Sequence, residues 1–285
     1  MRGILNVNKQ EGWTSFDVVN YLKRNLHFRQ IGHLGTLDPM ATGVLPITIG
    51  SATKLFDMFL NKTKTYIAKF EFGYLTDTLD ATGKILETTT SLPTEEQIRA
   101  ILGDFIGEIE QMPPQFSAKK VNGKKACDIA RNGGVVELKP KKILIKDIKF
   151  IAYANNVLEL EIECGAGTYI RAIGRDIAEK LSSLATMTKL TRTKVGVFSI
   201  ENAVNIKELD LSTINSKIMP IDTVFSHLEP IKDENIVKQL LNGQIVPTDL
   251  KNGDYRLYIN NNFVAIATSF DKKIKMSKYF DGVDY

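Results

Sequence analysis

Val157–Asp176 reads VLELEIECGAGTYIRAIGRD. Leu158, Leu160, Ile162 and Cys164 alternate with Glu159, Glu161 and Glu163, the period-two pattern of a strand with one packed and one wet face. Gly165 to Asp176 then turns out of that strand into a helix running to about Leu181. Cys164 falls on the apolar face and reads as a core residue with no chemical role. Tyr66–Gly73 repeats the alternation, with Tyr66, Ala68, Phe70 and Phe72 on one face and Lys69 and Glu71 on the other. Thr14–Arg29 reads as a helix capped by Ser15, with Asp17 in its first turn and Phe16, Val19, Leu22 and Leu26 on one face. Thr94–Phe105 opens with a Thr94/Gln97 capping box and carries Ile98, Ile101, Leu102 and Phe105. Helices interleaved with strands, several of which follow one another through short turns, predict an α+β fold: a mixed, largely antiparallel central sheet flanked by helices.

The chain has 285 residues, which favours one large and one small unit over a single core. The pattern changes near Pro220–Pro230. Beyond it, Tyr255–Ile259 and Phe263–Ala267 flank three asparagines and read as a hairpin, with a third strand over Ile274–Tyr279. The expected division is a larger unit over residues 1–225 and a small β-rich one over 228–285. No apolar run reaches membrane-spanning length, and the first residues lack the apolar core of a signal peptide. Two cysteines imply no disulfide framework and fit a reducing cytoplasm. The three histidines are scattered and no Cys/His spacing suits a metal. Neither glycine-rich nucleotide motif occurs, so no nucleotide cofactor is expected.

Charge is uneven. The whole chain carries +4, yet Pro113–Lys146 alone holds nine basic residues against Asp128 and Glu137, a local +7. Proline and glycine break up this stretch, which reads as an insertion with a short helix over Lys124–Arg131. Such a stripe suits a phosphate backbone or a solvated lysine-rich surface. Residues Leu228–Tyr285 balance eight basic against eight acidic side chains, so charge does not mark them as a nucleic-acid module.

Gly32–Pro46, GHLGTLDPMATGVLP, holds a single carboxylate, Asp38, in a run rich in turn residues. Taken alone, Asp38 fits an Asx-turn residue at the Asp-Pro bend, or an acid presented to a cleft. Four segments stand in order here: GHLGTLDPMATGVLP, KTYIAKFEFGYLTDTLDATG, QMPPQFSAKKVNGKKACDIAR and GTYIRAIGRDI. With the opening GILNVNKQEGWTSFDVV, they closely resemble the bacterial tRNA pseudouridine-55 synthases of the TruB type, from Gly3 to about Phe198 and more weakly through the tail.

That resemblance implies a pseudouridine synthase fold with a PUA-like C-terminal unit. It implies isomerisation of uridine 55 in the T-loop of tRNA, without cofactor or metal. The N1–C1′ bond breaks, the uracil rotates, and C5 bonds to C1′. Asp38 is then the essential carboxylate, acting on C1′, on the ring or on a sugar proton. Arg171 pairs with it. Tyr66 stacks on the uracil and helps remove the C5 proton. His33, Tyr169 and Leu190 contact the extruded nucleoside, and Asp80 shapes the pocket through turn hydrogen bonds. The insertion over 113–146 corresponds to a thumb whose Lys119, Lys120, Lys124 and Lys125 hold RNA phosphates. The expected partner is the tRNA T-arm, bound by a cytoplasmic monomer needing no membrane and no obligatory protein partner. The sequence departs from the family pattern at Gln10, usually proline, at Cys127, commonly aromatic, and at Thr186, frequently histidine. A non-catalytic RNA-binding or tRNA-chaperone protein of the same fold is the competing reading. A guide-dependent relative is disfavoured by the basic insertion, since a stand-alone enzyme must grip its own substrate.

Overall fold

A computed structural model describes residues 2–60, 62–117, 120–121, 123–131, 133–134, 136–210 and 212–280. The strands of the large sheet are β1 (Gly3–Lys9), β2 (Ile31–His33), β3 (Thr42–Ile49), β4 (Lys64–Phe72), β5 (Gly107–Gln111), β6 (Lys141–Ala154), β7 (Val157–Cys164), β8 (Ala185–Val195) and β9 (Val204–Asn205). Their order is β9-β1-β3-β8-β4-β7-β6-β5, with β2 paired on β3 and Phe198–Ser199 on β8. Pairing is antiparallel except between β1 and β9 and between β3 and β8. The mixed, largely antiparallel sheet read from the sequence is therefore present.

Alternation puts Tyr66, Ala68, Phe70 and Phe72 of β4 beside Leu158, Leu160, Ile162 and Cys164 of β7 on one buried face. Helices α1 (Ser15–Leu26), α2 (Glu95–Leu102) and α3 (Ile170–Lys180) contribute to the same core. Gly174 lets α3 lie against β4: a Cβ there would stand 2.2 Å from the Phe70 ring. The opposite face carries a ladder of exposed ion pairs, Lys69–Glu159 at 3.3 Å and Lys149–Glu161 at 2.8 Å. Such pairs keep a wet face soluble and add little stability.

Two expectations for α1 are corrected. Thr14, not Ser15, is its N-cap; Thr14 and Asp17 form a reciprocal capping box. Ser15 is buried, and its hydroxyl accepts from Leu37 N at 2.8 Å, which ties the helix to the Asp38 segment. Phe16 is 61% exposed, while Val18 joins Val19, Leu22 and Leu26 inside. The Gly32–Pro46 loop is also shorter than read: both ends are strand, and only residues 34–41 bridge β2 and β3.

A second sheet is built from β10 (Glu229–Ile231), β11 (Val246–Pro247), β12 (Gly253–Ile259), β13 (Asn262–Phe270) and β14 (Lys273–Tyr279), in the order β10-β12-β13-β14-β11. Asn260 and Asn261 take φ of 48° and 59° between Ile259 and Asn262, the left-handed pair that a tight hairpin turn needs. This sheet rests on the large one. Phe225 lies 5.8 Å from both Phe263 and Phe280, ring to ring, in a core shared with Ile4, Val44 and Phe198.

Candidate active site

The Asp38 segment is held by backbone and buried side chains, so a glycine-rich run presents one fixed carboxylate. Ala41 N donates to Asp38 O at 3.0 Å and Gly12 N to Pro39 O at 2.9 Å. Beneath it lies Lys9, fully buried, whose Nζ donates to Gln10 O, Trp13 O and Pro39 O at 3.0, 2.7 and 3.2 Å. Burial lowers the Lys9 pKa to about 8, with Asp38 pulling it back up. The Asp38 side chain itself stays 36% exposed.

Arg171, in the first turn of α3, closes on this loop. Its Nε lies 3.0 Å from Asp38 Oδ2, and Nη2 reaches Asp38 Oδ1 at 3.5 Å. Nη1 donates to Thr78 O at 2.8 Å and sits 3.3 Å from Asp80 Oδ2, while Nη2 donates to Phe116 O at 3.0 Å. One guanidinium thus touches five oxygens and is aimed by them. Asp80, 4% exposed, also accepts from Thr78 Oγ1 at 2.9 Å and Thr82 N at 3.0 Å. The turn role expected for Asp80 is present, and its ion pair with Arg171 is an addition.

Tyr66 lies on β4 in the same packed cluster as Leu37 and Leu190, nearly buried. Burial raises the pKa of its phenol, and the neighbouring Arg192 opposes the rise. His33, on β2, is half-buried; its imidazole is pushed down first by burial and then by Arg192, and its Nδ1 has no hydrogen-bond partner. Tyr169 is the N-cap residue of α3. Gln111 clamps its backbone, accepting from Tyr169 N at 2.9 Å and donating to Tyr169 O at 3.2 Å. Leu190 is buried in the core cluster, opposite Ala68 of β4.

Of the residues named from the sequence, the structure brings Asp38, Arg171 and Asp80 into contact, and Lys9, Gln111 and Arg192 are polar residues bonded to the same segments that the sequence reading did not name. Arg192 carried a signal: it stands two residues after Leu190 in KLTRT, on a strand where alternate positions face inward. Of the four lysines assigned to RNA, Lys119 lies outside the described residues. Lys120 and Lys125 are backbone partners in a two-stranded ladder with Val121 and Lys124, followed by a helix over Ala126–Arg131. Among the described residues no group of three or more His, Cys, Asp or Glu could hold a metal, and no helix is long and apolar enough to cross a membrane.

Residues 23–170 match the family described as TruB family pseudouridylate synthase (N terminal domain). The chain is 38% identical over 286 residues to the tRNA pseudouridine synthase B of Clostridium tetani, covering 98% of this chain and 99% of that one. It is 35% identical over 279 residues to the protein of the same name from Borreliella afzelii, covering 97% of each. Among solved structures, a chain of a Cbf5-Nop10-Gar1 complex superposes with a TM-score of 0.76 at 23% identity, covering 99% of this chain and 86% of that one. This last likeness shows the fold alone.

Proposed function

This chain belongs to the TruB family of pseudouridine synthases, and from that premise we propose that it isomerises uridine to pseudouridine at position 55, in the T-loop of tRNA. The observation that carries this reading is the Asp38–Arg171 pair, formed between residues 133 positions apart in the chain. A target uridine must leave its stack before any group can reach the sugar–base bond. Its ring then needs a new partner, and aromatic stacking supplies ~1–3 kcal/mol per base. Tyr66 provides that face. Asp38 supplies the carboxylate and Arg171 fixes its direction, so the acid meets the C1′ side of the base without a search. The uracil is cleaved from C1′, turned within the pocket and rejoined through C5, and the C5 proton then leaves. Burial keeps Tyr66 a phenol near neutral pH, so it takes that proton only if its own departs; Arg192 acts in that direction. His33, whose imidazole is held below its ordinary pKa by burial, packs beside the space of the extruded nucleoside.

In this reading residues 1–225 form the catalytic unit and 228–285 the PUA-like unit. The basic insertion holds the T-arm backbone, and the protein works as a cytoplasmic monomer. The test is direct. Purified protein is incubated with an unmodified tRNA transcript, no cofactor added, and pseudouridine is mapped. Modification at position 55 is expected; an unmodified transcript, or modification only elsewhere, would refute the assignment.

A further inference from the structure

The basic insertion is rooted on α3. It leaves β5 after Gln111 and enters β6 at Lys141, the register partner of Gln111. Two arginines of α3, about one helical turn apart and so on the same face, hold its first residues. Arg175 Nη2 donates to Met112 O at 2.9 Å, and Arg171 Nη2 donates to Phe116 O at 3.0 Å. Arg175 is aimed by its neighbour: Asp176 Oδ1 accepts from its Nε at 2.9 Å and from its Nη2 at 2.6 Å. Its side chain is 15% exposed. The more exposed Glu179 stands 3.7 Å from the same Nε.

Between the two held carbonyls the chain runs Met112-Pro113-Pro114-Gln115-Phe116. Two prolines in succession fix φ and bring no amide hydrogen, so this stretch is stiff and depends on outside donors to hold it. Both prolines are buried. A displacement at Met112 therefore carries along to Phe116 and is not absorbed by the backbone. The Gln115 amide accepts from Val136 N at 3.0 Å and donates to Val136 O at 2.9 Å, which joins the outgoing and returning limbs of the insertion. Through Arg171 this clamp meets the Asp38 carboxylate: the guanidinium that holds Phe116 O has its Nε 3.0 Å from Asp38 Oδ2.

We propose that Arg175 is a positioning residue for the isomerisation. By seating Met112 on α3 it sets where the Phe116 carbonyl stands, and with it the angle at which Arg171 meets Asp38. The inference rests on the roles given to Asp38 and Arg171 above. Arg175 acts through Arg171.

The test replaces Arg175 and its counter-ion together, Arg175→Met with Asp176→Asn, so that no carboxylate loses its cation. Glu179→Gln is the control, since it removes a charge beside Arg175 and leaves the Met112 bond in place. Single-turnover isomerisation is read at saturating enzyme, with tRNA affinity measured separately. Thr78 and Asp80 still hold Arg171 in the paired variant. Its chemical step should therefore slow by about tenfold, short of the ~10²-fold that a misplacement of ~1 Å costs. Its tRNA affinity should change by no more than about threefold, and Glu179→Gln should stay within about twofold of wild type in both. In an Arg171→Lys background the paired variant should slow the reaction by clearly less, because its effect travels through the guanidinium. Effects that multiply, an unchanged rate, or a loss of affinity alone would overturn the proposal. Arg175→Lys keeps the charge beside Asp176 and loses the fork; its rate should fall between wild type and the paired variant, and a rate below the paired variant would count against the carbonyl contact. A further measurement needs no tRNA. The Arg171 Nε–H resonance of the 15N-labelled protein should move in the paired variant and in Arg175→Lys, and stay in place in Glu179→Gln. An unmoved resonance, or an equal shift in the control, would overturn the coupling. If wild-type protein makes no pseudouridine, the functional reading fails on its own, and the resonance still decides whether Arg175 sets the geometry of Arg171.

Discussion

Arg171 meets Asp38 side on, with Nε 3.0 Å from one carboxylate oxygen and Nη2 3.5 Å from the other. The remaining edge of the same guanidinium is held by Asp80 and by the carbonyls of Thr78 and Phe116. Its position is therefore set by the fold and does not depend on the substrate. Truncating Arg171→Ala should lower the single-turnover rate by about 10²-fold with little change in tRNA affinity. It also leaves the buried Asp80 carboxylate without its cation, which should destabilise the fold by about 1–3 kcal/mol in urea unfolding. Full turnover combined with weakened binding would count against the pair.

Lys9 gives a pH signature. Its folded pKa is lowered to about 8, from an ordinary 10.5. Below pH 8 the amine is charged in both states, and the folded protein bears the whole burial penalty. Between about 8 and 10.5 the unfolded chain binds more protons, so the Lys9 contribution to stability rises with pH. Compared with Lys9→Met, the wild type should gain stability from pH 7.5 to 10, by roughly 3 kcal/mol at most. Parallel pH dependence of the two proteins would remove Lys9 as the source.

Gly43 has φ of +105°, and a Cβ there would stand 2.2 Å from Arg192 O. Gly43→Ala should therefore part β3 from β8 next to the Asp38 loop, costing about 1–3 kcal/mol and most of the activity. A thermal midpoint and turnover equal to wild type would show that the backbones are not so tightly apposed.

In the proposed reading the insertion lysines hold RNA phosphates through charge. Replacing Lys119, Lys120, Lys124 and Lys125 with Glu should weaken tRNA binding and flatten its salt dependence, each lost phosphate contact removing about 0.7–0.9 from the log–log slope. A binding titration with an unchanged slope would place the RNA grip elsewhere.

Much of this was legible in the chain because local patterns survived folding. Val157–Cys164 alternates in the structure residue for residue, and the Thr94/Gln97 box caps its helix as read. Thr14 and Ser15 were exchanged because adjacent hydroxyls offer the same capping chemistry; only the distant Leu37 amide shows which one is taken. The ends of the aspartate loop looked irregular because Gly43 and Pro46 are turn residues by type, yet pairing with β1 draws them into a strand. Lys9 and Arg192 were missed for a related reason. Their partners are mostly backbone carbonyls brought in by the fold, in the case of Arg192 from about 150 residues away, and a carbonyl leaves no mark in a sequence.

The central claim is that the Asp38 carboxylate performs the chemistry. Asp38→Asn keeps the shape of the side chain and removes its charge. Assayed on an unmodified tRNA transcript, with circular dichroism to confirm folding, it should bind tRNA as wild type does and form no pseudouridine at position 55. Product at the wild-type rate from this variant would contradict the account.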